Sequence, residues 1–250
     1  LLPNIAPDVK WVKPLYDRCY DPLWQVLQDL EVPINIHSGS GNPDYGPYPV
    51  SMLLYINEVP FYTERPLVQL ILSGVFERFP RLKVVLTEAG CAWVPPLLER
   101  LDTNIRSIRD TGATGEIRYG ADHILPKDAT EYFHQNVWMG VSQPRQADAD
   151  ARHIIGLDKF MWGSDYPHDE GTYPYTRENL RARFSDAPEA EMRKILAGNA
   201  AEMYGFDLDA LAPLAARIGP TVEEVARPIG GVPDKSLERI SGDMDASAIK

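Results

Sequence analysis

Hydrophobic positions along the chain fall into short continuous runs and into longer stretches in which apolar residues recur every three or four positions. Buried strands are predicted for the runs at 32–37, 82–87, 137–141 and 160–162. Amphipathic helices are predicted for the periodic stretches at 20–30, 66–79, 94–108, 145–155, 175–184 and 189–204. Because a strand, a loop and a helix follow one another four times, the pattern predicts an α/β fold with a parallel sheet and helices outside it.

Two segments depart from this repeat. Residues 38–48 are polar and glycine-rich, which predicts a loop at the end of the first strand. Beyond Phe206, prolines and glycines interrupt any long element, and only a short helix over 210–217 is predicted. We therefore divide the chain into a compact region, 1–206, and a C-terminal extension, 207–250, which is expected to pack across a neighbouring subunit or to hang loose.

Composition narrows the range of partners. A chain of 250 residues with 44% hydrophobic content can bury one large core. Its formal net charge of -11 argues against nucleic acids and anionic membranes, so a small molecule is the expected ligand. The two cysteines, Cys19 and Cys91, do not form a disulfide framework. With neither a signal peptide nor a long apolar run recognised, a cytoplasmic protein is predicted.

Three polar residues stand at the ends of predicted strands, namely His37, Glu88 and Asp165. The carboxyl ends of parallel strands meet at one edge of a sheet, so a single divalent cation could bind all three. Asp165 could also take a proton from a water whose pKa the cation lowers, and would then be both ligand and general base. Zinc is the expected metal, with manganese as the other candidate.

Each of these residues also has a purely structural interpretation. His37 could be a hydrogen-bonded histidine at a strand end, and Asp165 could cap the turn at Tyr166. Glu88 could bind backbone amides at the start of the next helix. His168, three residues beyond Asp165, either faces the same site as a substrate contact or proton donor or lies on the surface.

Four sequence blocks in a fixed order resemble a known family. The blocks are Val-Pro-Ile-Asn-Ile-His-Ser-Gly at 32–39, a stretch from Gly-Val-Phe-Glu-Arg-Phe-Pro at 74–80 through Arg-Leu-Asp at 100–102, Phe-Met-Trp-Gly-Ser-Asp-Tyr-Pro-His at 160–168, and Ile-Leu-Ala-Gly-Asn-Ala-Ala-Glu-Met-Tyr-Gly-Phe at 195–206. Together they resemble the amidohydrolase superfamily, in the amidohydrolase-2 branch with the aminocarboxymuconate-semialdehyde decarboxylase-like enzymes. The resemblance implies a (β/α)8 TIM barrel of which this chain covers about the C-terminal half, strands five to eight.

The resemblance also implies an activity, the metal-dependent hydrolysis or non-oxidative decarboxylation of a small carboxylated substrate. Asp165 and His37 would hold the metal, Glu88 would be a ligand or base, and His168 with Arg100 would orient an anionic group. Arg100 matches a family position that reaches a neighbouring subunit's carboxylate substrate. The habit of the family and the proline-rich tail imply a homodimer. Alternatively, Arg100 pairs on its own helix surface with Glu99 or Asp102.

Two aromatic residues around the eighth-strand motif complete the predicted site. Of Trp162 and Tyr166, we expect one to pack inside the barrel and the other to line the substrate pocket.

The chain departs from the family pattern at two points. No His-x-His pair, the first-strand metal motif, occurs in the sequence, and Glu88 stands where the sixth strand typically ends in histidine. Glutamate can bind a hard cation or act as a base, but it lacks a neutral imidazole donor. These departures motivate an alternative, a non-catalytic or incomplete partner subunit of a split amidohydrolase whose N-terminal half or partner chain is missing.

Overall fold

A four-stranded parallel sheet lies at the centre of the computed structural model, which describes residues 1–233. The strands in chain order are β1 (Ile34–His37), β2 (Val84–Thr87), β3 (Ala113–Thr114), β4 (Ile117–Arg118), β5 (Val137–Ser142) and β6 (Phe160–Gly163). The order in the main sheet is β1-β2-β5-β6 with every pair parallel, while β3 and β4 form a small antiparallel hairpin. The four predicted strands and their parallel arrangement are confirmed.

Helices connect and cover the strands. They are α1 (Asp21–Asp29), α2 (Ser51–Leu72), α3 (Val75–Arg78), α4 (Val94–Thr111), α5 (Ala129–Asn136), α6 (Gln146–Ile155), α7 (Thr176–Phe184), α8 (Glu189–Arg193), α9 (Asn199–Tyr204), α10 (Leu208–Ile218) and α11 (Val222–Val225). A π-helical turn, Lys194–Gly198, joins α8 to α9, so the predicted helix over 189–204 contains one wider turn. Within residues 1–233, no helix has both the length and the apolar character that crossing a bilayer requires.

One face of the sheet is buried in the main core, and the other is only partly covered, since buried and half-exposed positions alternate along β5. One row across the sheet, Ile36, Leu86, Met139 and Phe160, is fully buried in the main core. A smaller cluster of Val85, Met161 and Met203 lies on the opposite face and includes a side chain of α9. Each such aliphatic or aromatic side chain stabilises the fold by about 1.5–3 kcal/mol relative to an exposed one.

The helix that follows the first loop was predicted wrongly. It begins at Ser51 rather than at residue 66, contains Pro60 and Pro66, and ends at Leu72. Gly74, with a φ of 68°, then separates it from α3. Prolines usually mark helix ends, and the apolar residues of its first half are largely exposed, so neither signal indicated a helix there.

Three features were not predicted at all, the β3–β4 hairpin, α5 and α11. Helix α5 begins after Asp128, and its Glu131 side chain accepts a hydrogen bond from the Asp128 amide at 2.8 Å. An aspartate followed three residues later by a glutamate is a capping-box pattern, so the sequence did carry a signal for this helix.

Part of the C-terminal extension packs against the same chain. Val225 of α11 is 2% exposed, Glu224 pairs with Arg177 of α7, and Arg181 of α7 donates to the carbonyl of Arg227 at 2.8 Å. The expectation that the extension packs across a neighbour or hangs loose is therefore wrong for residues 222–228. The predicted division at residue 206 stays a prediction, and residues 234–250 lie outside the described part.

Candidate active site

Four side chains from three strand ends form a continuous polar network at the carboxyl edge of the sheet. Nε2 of His37, the last residue of β1, lies 3.0 Å from Oε2 of Glu88, which follows β2. Nδ1 of His168 lies 3.4 Å from Oε1 of Glu88 and 3.0 Å from Oδ1 of Asp165, which follows β6. The sequence-based expectation that His37, Glu88 and Asp165 lie at one edge is met by this chain of contacts.

The backbone at this edge is strained. Glu88, Gln143 and Asp165 have φ angles of 64°, 46° and 60°, in the left-handed region that non-glycine residues seldom adopt. Among residues 1–233, Glu31 is the one other non-glycine residue with positive φ. Each such residue destabilises the folded state by about 1–2 kcal/mol. Strained residues of this kind are concentrated at functional sites, where the backbone fixes the direction of a side chain.

Gln143 is a residue of the network that the sequence analysis missed. It follows β5, and its Nε2 donates a hydrogen bond to Oδ2 of Asp165 at 2.8 Å. The Asp165 side chain is only 8% exposed, with Gln143 on one oxygen and His168 on the other. A signal was available, since Gln143 stands after its strand as Glu88 and Asp165 stand after theirs.

The two histidines have different surroundings. Nδ1 of His37 lies 2.7 Å from the carbonyl of Ser38, which can only accept, so this nitrogen carries a proton and Nε2 is the ring nitrogen that faces Glu88. Metal-binding histidines typically have their second nitrogen held in this way. Hydrogen bonding and charge from Asp165 raise the pKa of His168, and the charge of Glu88 adds to the effect.

The donor atoms are spaced for a metal ion. Glu88, Asp165 and His168 each offer one atom, and the three atoms lie within 4.8 Å of one another. Ligands bound to one ion at about 2.1 Å are about 3–4 Å apart, and the contacts of His168 with Glu88 at 3.4 Å and with Asp165 at 3.0 Å have this spacing. The predicted trio contained His37 in place of His168; in the structure, His37 contacts the cluster through the second oxygen of Glu88.

The predicted substrate-binding residues are more dispersed. Trp162 is half-buried against the main core, whereas Tyr166 is 67% exposed with its ring centroid 5.4 Å from that of Tyr173. Arg100 is exposed on α4, and its charge acts on Glu64 of α2. No ion pair of Arg100 with the Glu99 or Asp102 of the alternative interpretation is present among the described residues.

A cleft of about 420 Å³ opens beside the network, within the range of small-molecule sites. Its principal lining residues are Pro60, Glu64, Glu88, Trp93, Gln143, Arg145 and Asp148. Glu88 and Gln143 belong both to the cleft and to the polar network, so a molecule in the cleft would contact the candidate metal site directly.

A parallel α/β sheet with acids and imidazoles gathered at its carboxyl edge has the arrangement that α/β enzymes use for their active sites. Residues 5–206 match the family model described as amidohydrolase, so the chain belongs to the amidohydrolase family.

Known proteins similar to this chain include aromatic acid decarboxylases. Gamma-resorcylate decarboxylase of Polaromonas sp. strain JS666 is 27% identical over 212 residues, covering 82% of this chain and 60% of that protein. The crystal structure of 5-carboxyvanillate decarboxylase LigW from Sphingomonas paucimobilis aligns with a TM-score of 0.64 at 25% identity, covering 82% of this chain and 58% of that one.

A third comparison concerns a structure that contains a metal. Dihydroxybenzoic acid decarboxylase from Polaromonas sp. JS666, solved with bound manganese and 2-nitroresorcinol, aligns with a TM-score of 0.55 at 22% identity over 78% of this chain and 57% of that one. The chain thus spans about three fifths of the length of these relatives.

Proposed function

We propose that this chain provides strands five to eight of a metal-dependent decarboxylase acting on a small aromatic carboxylic acid. The observation that carries the proposal is the meeting of three strand ends at the carboxyl edge of the sheet, where His37 contacts Glu88 at 3.0 Å and His168 contacts both Glu88 and Asp165. The similarity to gamma-resorcylate decarboxylase and to LigW favours decarboxylation over hydrolysis.

The residues present suit a divalent cation, with manganese and zinc as candidates. Glu88 and Asp165 would supply oxygen ligands and His37 a nitrogen ligand, because its Nδ1 is already held by the Ser38 carbonyl. The ion would supply positive charge that polarises a substrate oxygen.

The chain's own groups would then orient the acid and move one proton. Gln143 fixes the Asp165 carboxylate through its 2.8 Å hydrogen bond. When the bond between the ring carbon and the carboxylate breaks, carbon dioxide leaves and its electron pair stays on the ring carbon, which must take a proton. His168 would deliver that proton from Nδ1, which lies 3.0 Å from Oδ1 of Asp165 and 3.4 Å from Oε1 of Glu88.

Metal titration of matched variants tests this proposal. Calorimetry with manganese should give about one ion per chain, with affinity weakened about tenfold or more in Asp165→Asn and in His37→Ala. His168→Ala should keep most of the affinity and abolish carbon dioxide release from 2,6-dihydroxybenzoate. Asp150→Asn, an exposed site on α6, is the control. Unchanged manganese affinity in Asp165→Asn would contradict the proposal.

A second candidate is the incomplete partner subunit, favoured by the absence of a His-x-His pair from the sequence. This candidate expects metal and substrate binding to appear only when a second, different chain is present. Light scattering during size-exclusion chromatography separates the two cases. A homodimer that binds manganese alone supports the enzyme, whereas a chain that binds none until it joins a different chain supports the partner subunit.

A further inference from the structure

Beside the candidate metal site lies a hydroxyl group, that of Ser38, which is not one of the proposed ligands. We propose that Ser38 is a positioning residue, which holds one carboxylate oxygen of Glu88 so that the other oxygen faces Asp165 and His168. This role rests on the proposed function, because it assigns a residue that orients a ligand of the proposed metal site.

The pairing of two strands places Ser38 next to Glu88. In the register of β1 and β2, His37 lies opposite Thr87, so the residues that follow them stand side by side. The ladder continues past the end of β1, because the Ser38 amide donates to the Thr87 carbonyl at 3.2 Å. On the other side of β2, the Glu88 amide donates to the Gly140 carbonyl at 3.0 Å. The sheet therefore fixes both backbones, and the two side chains meet at its carboxyl edge.

The two oxygens of the Glu88 carboxylate have different partners. Oε2 accepts a hydrogen bond from the Ser38 hydroxyl at 2.8 Å and lies 3.0 Å from Nε2 of His37. Oε1 lies 3.4 Å from Nδ1 of His168, the nitrogen that also contacts Asp165. Ser38 thus fixes the carboxylate through the oxygen on the β1 side and leaves Oε1 for the cation.

The hydrogen bond from Ser38 persists when a cation is bound. In the proposed site, Nε2 of His37 binds the cation, so it no longer contacts Oε2 of Glu88. The Ser38 hydroxyl is not a ligand and continues to donate to Oε2. A glutamate side chain loses rotational freedom when it is oriented, and this hydrogen bond offsets that cost.

A neutral hydroxyl suits this role better than a charged donor. A lysine or arginine at position 38 would neutralise Glu88 and repel the cation, whereas serine donates one hydrogen bond without adding charge. Ser38 also orients His37, because its carbonyl accepts the hydrogen bond from Nδ1 at 2.7 Å. One residue therefore directs two proposed ligands, and a substitution at position 38 isolates the effect on Glu88 because it changes the side chain alone.

Manganese titration of Ser38 variants tests this role. Calorimetry should show an affinity about tenfold weaker in Ser38→Ala, as is typical when a group that orients a metal ligand is removed. Ser38→Thr, which keeps the hydroxyl, should restore most of the affinity. Ser40→Ala is the matched control, since it removes a hydroxyl of the same loop that donates to the His37 carbonyl at 2.9 Å. This control should bind manganese as the wild type does.

Crystal structures of metal-free variants give a readout that needs neither an ion nor activity. His37→Ala removes the other contact of Oε2, so Glu88 should keep its place in this variant through Ser38 alone. When Ser38→Ala is added, the carboxylate should move by more than about 0.5 Å, the tolerance of a preorganised site, because the charge of Asp165 repels it. Adding Ser40→Ala to His37→Ala should leave it in place.

The outcomes separate this role from the proposed function. If Glu88 keeps its place without the Ser38 hydroxyl, or if Ser38→Ala loses no more manganese affinity than Ser40→Ala, the role of Ser38 is rejected. Manganese binding that depends on Asp165 still supports the proposed function in both cases. Conversely, if the wild type binds no manganese but Glu88 moves when the Ser38 hydroxyl is removed, Ser38 keeps its role and the metal chemistry is rejected.

Discussion

At the scale of single residues, the site combines polar identity with an uncommon backbone shape. Glu88, Gln143 and Asp165 follow three neighbouring strands and all have left-handed φ angles. Their polarity and position after a strand were visible in the sequence. Their backbone conformation could not be predicted from the sequence, because a positive φ at a non-glycine residue does not change the pattern of apolar positions.

This conformation predicts a trade between stability and metal binding. Glu88→Gly removes the Cβ that disfavours a φ of 64°, and it also removes a carboxylate close to that of Asp165. We therefore expect the free energy of unfolding to rise by about 1 kcal/mol. Manganese affinity should be lost at the same time. Urea denaturation and calorimetry measure the two effects.

Glu31→Gly is the matched control, since Glu31 has a φ of 53° and its contact with Lys83 is a surface ion pair. It should gain similar stability and keep the metal affinity of the wild type. A Glu88→Gly chain less stable than the wild type would show that the side chain contributes more to folding than its backbone conformation costs.

At the scale of elements, helices and strands were predicted correctly where burial of one face left a regular spacing of apolar residues, and they were missed where it did not. The strands and helices α1, α4 and α6 have apolar positions that face the core, so their patterns identified them. The first half of α2 exposes Met52, Leu53 and Ile56, and a helix without a buried face has no such period. For the site, strand ends located His37, Glu88 and Asp165, whereas the contacts of His168 depend on the loop after β6.

The junction between α4 and α5 predicts a pH effect. Asp128 accepts from Nε of Arg106 at 2.7 Å and from Nη2 of Arg109 at 2.8 Å, and hydrogen bonding to Arg106 is the main cause that lowers its pKa. A lowered folded-state pKa means that this contribution to stability is complete above the unfolded value of about 3.9 and is lost as the pH falls through the folded value.

Asp128→Asn should therefore lower the free energy of unfolding at pH 7 by about 1 kcal/mol, while asparagine keeps the helix cap. The difference from the wild type should shrink below about pH 4, where the wild-type carboxylate begins to lose its charge. Denaturation curves across pH 2–7 measure this, with Asp110→Asn at an exposed position of α4 as the control. A difference that does not change with pH would indicate that charge is not the cause.

At the scale of the whole molecule, the first residues protect an edge of the sheet. Strand β1 lies at one end of the strand order, and the amide of Leu2 donates to the carbonyl of Asn35 at 2.8 Å on that edge. Asn4 is 4% exposed and donates from Nδ2 to the carbonyl of Tyr62 in α2 at 2.7 Å. The segment therefore ties β1 to α2.

Removing that tie should weaken the whole fold. Asn4→Ala leaves the Tyr62 carbonyl without its donor, and we expect the free energy of unfolding to fall by about 1–3 kcal/mol. Asn57→Ala, which removes a comparable hydrogen bond on the exposed side of α2, should cost much less. Thermal unfolding of both variants measures the two losses of stability. Equal losses in Asn4→Ala and Asn57→Ala would argue that the N-terminal segment contributes little to the stability of the fold.

The Asp148 carboxylate has a consequence for how the cleft selects its ligand. It binds the loop after β2 through two amides and the start of α6 through a third, and Gly90 permits this approach because a Cβ there would lie 2.7 Å from Oδ1. The two walls are thus fastened to each other before any ligand arrives. Because its walls are held at a fixed separation, the cleft should bind rings that match its width and exclude bulkier rings, since it cannot widen to accommodate them.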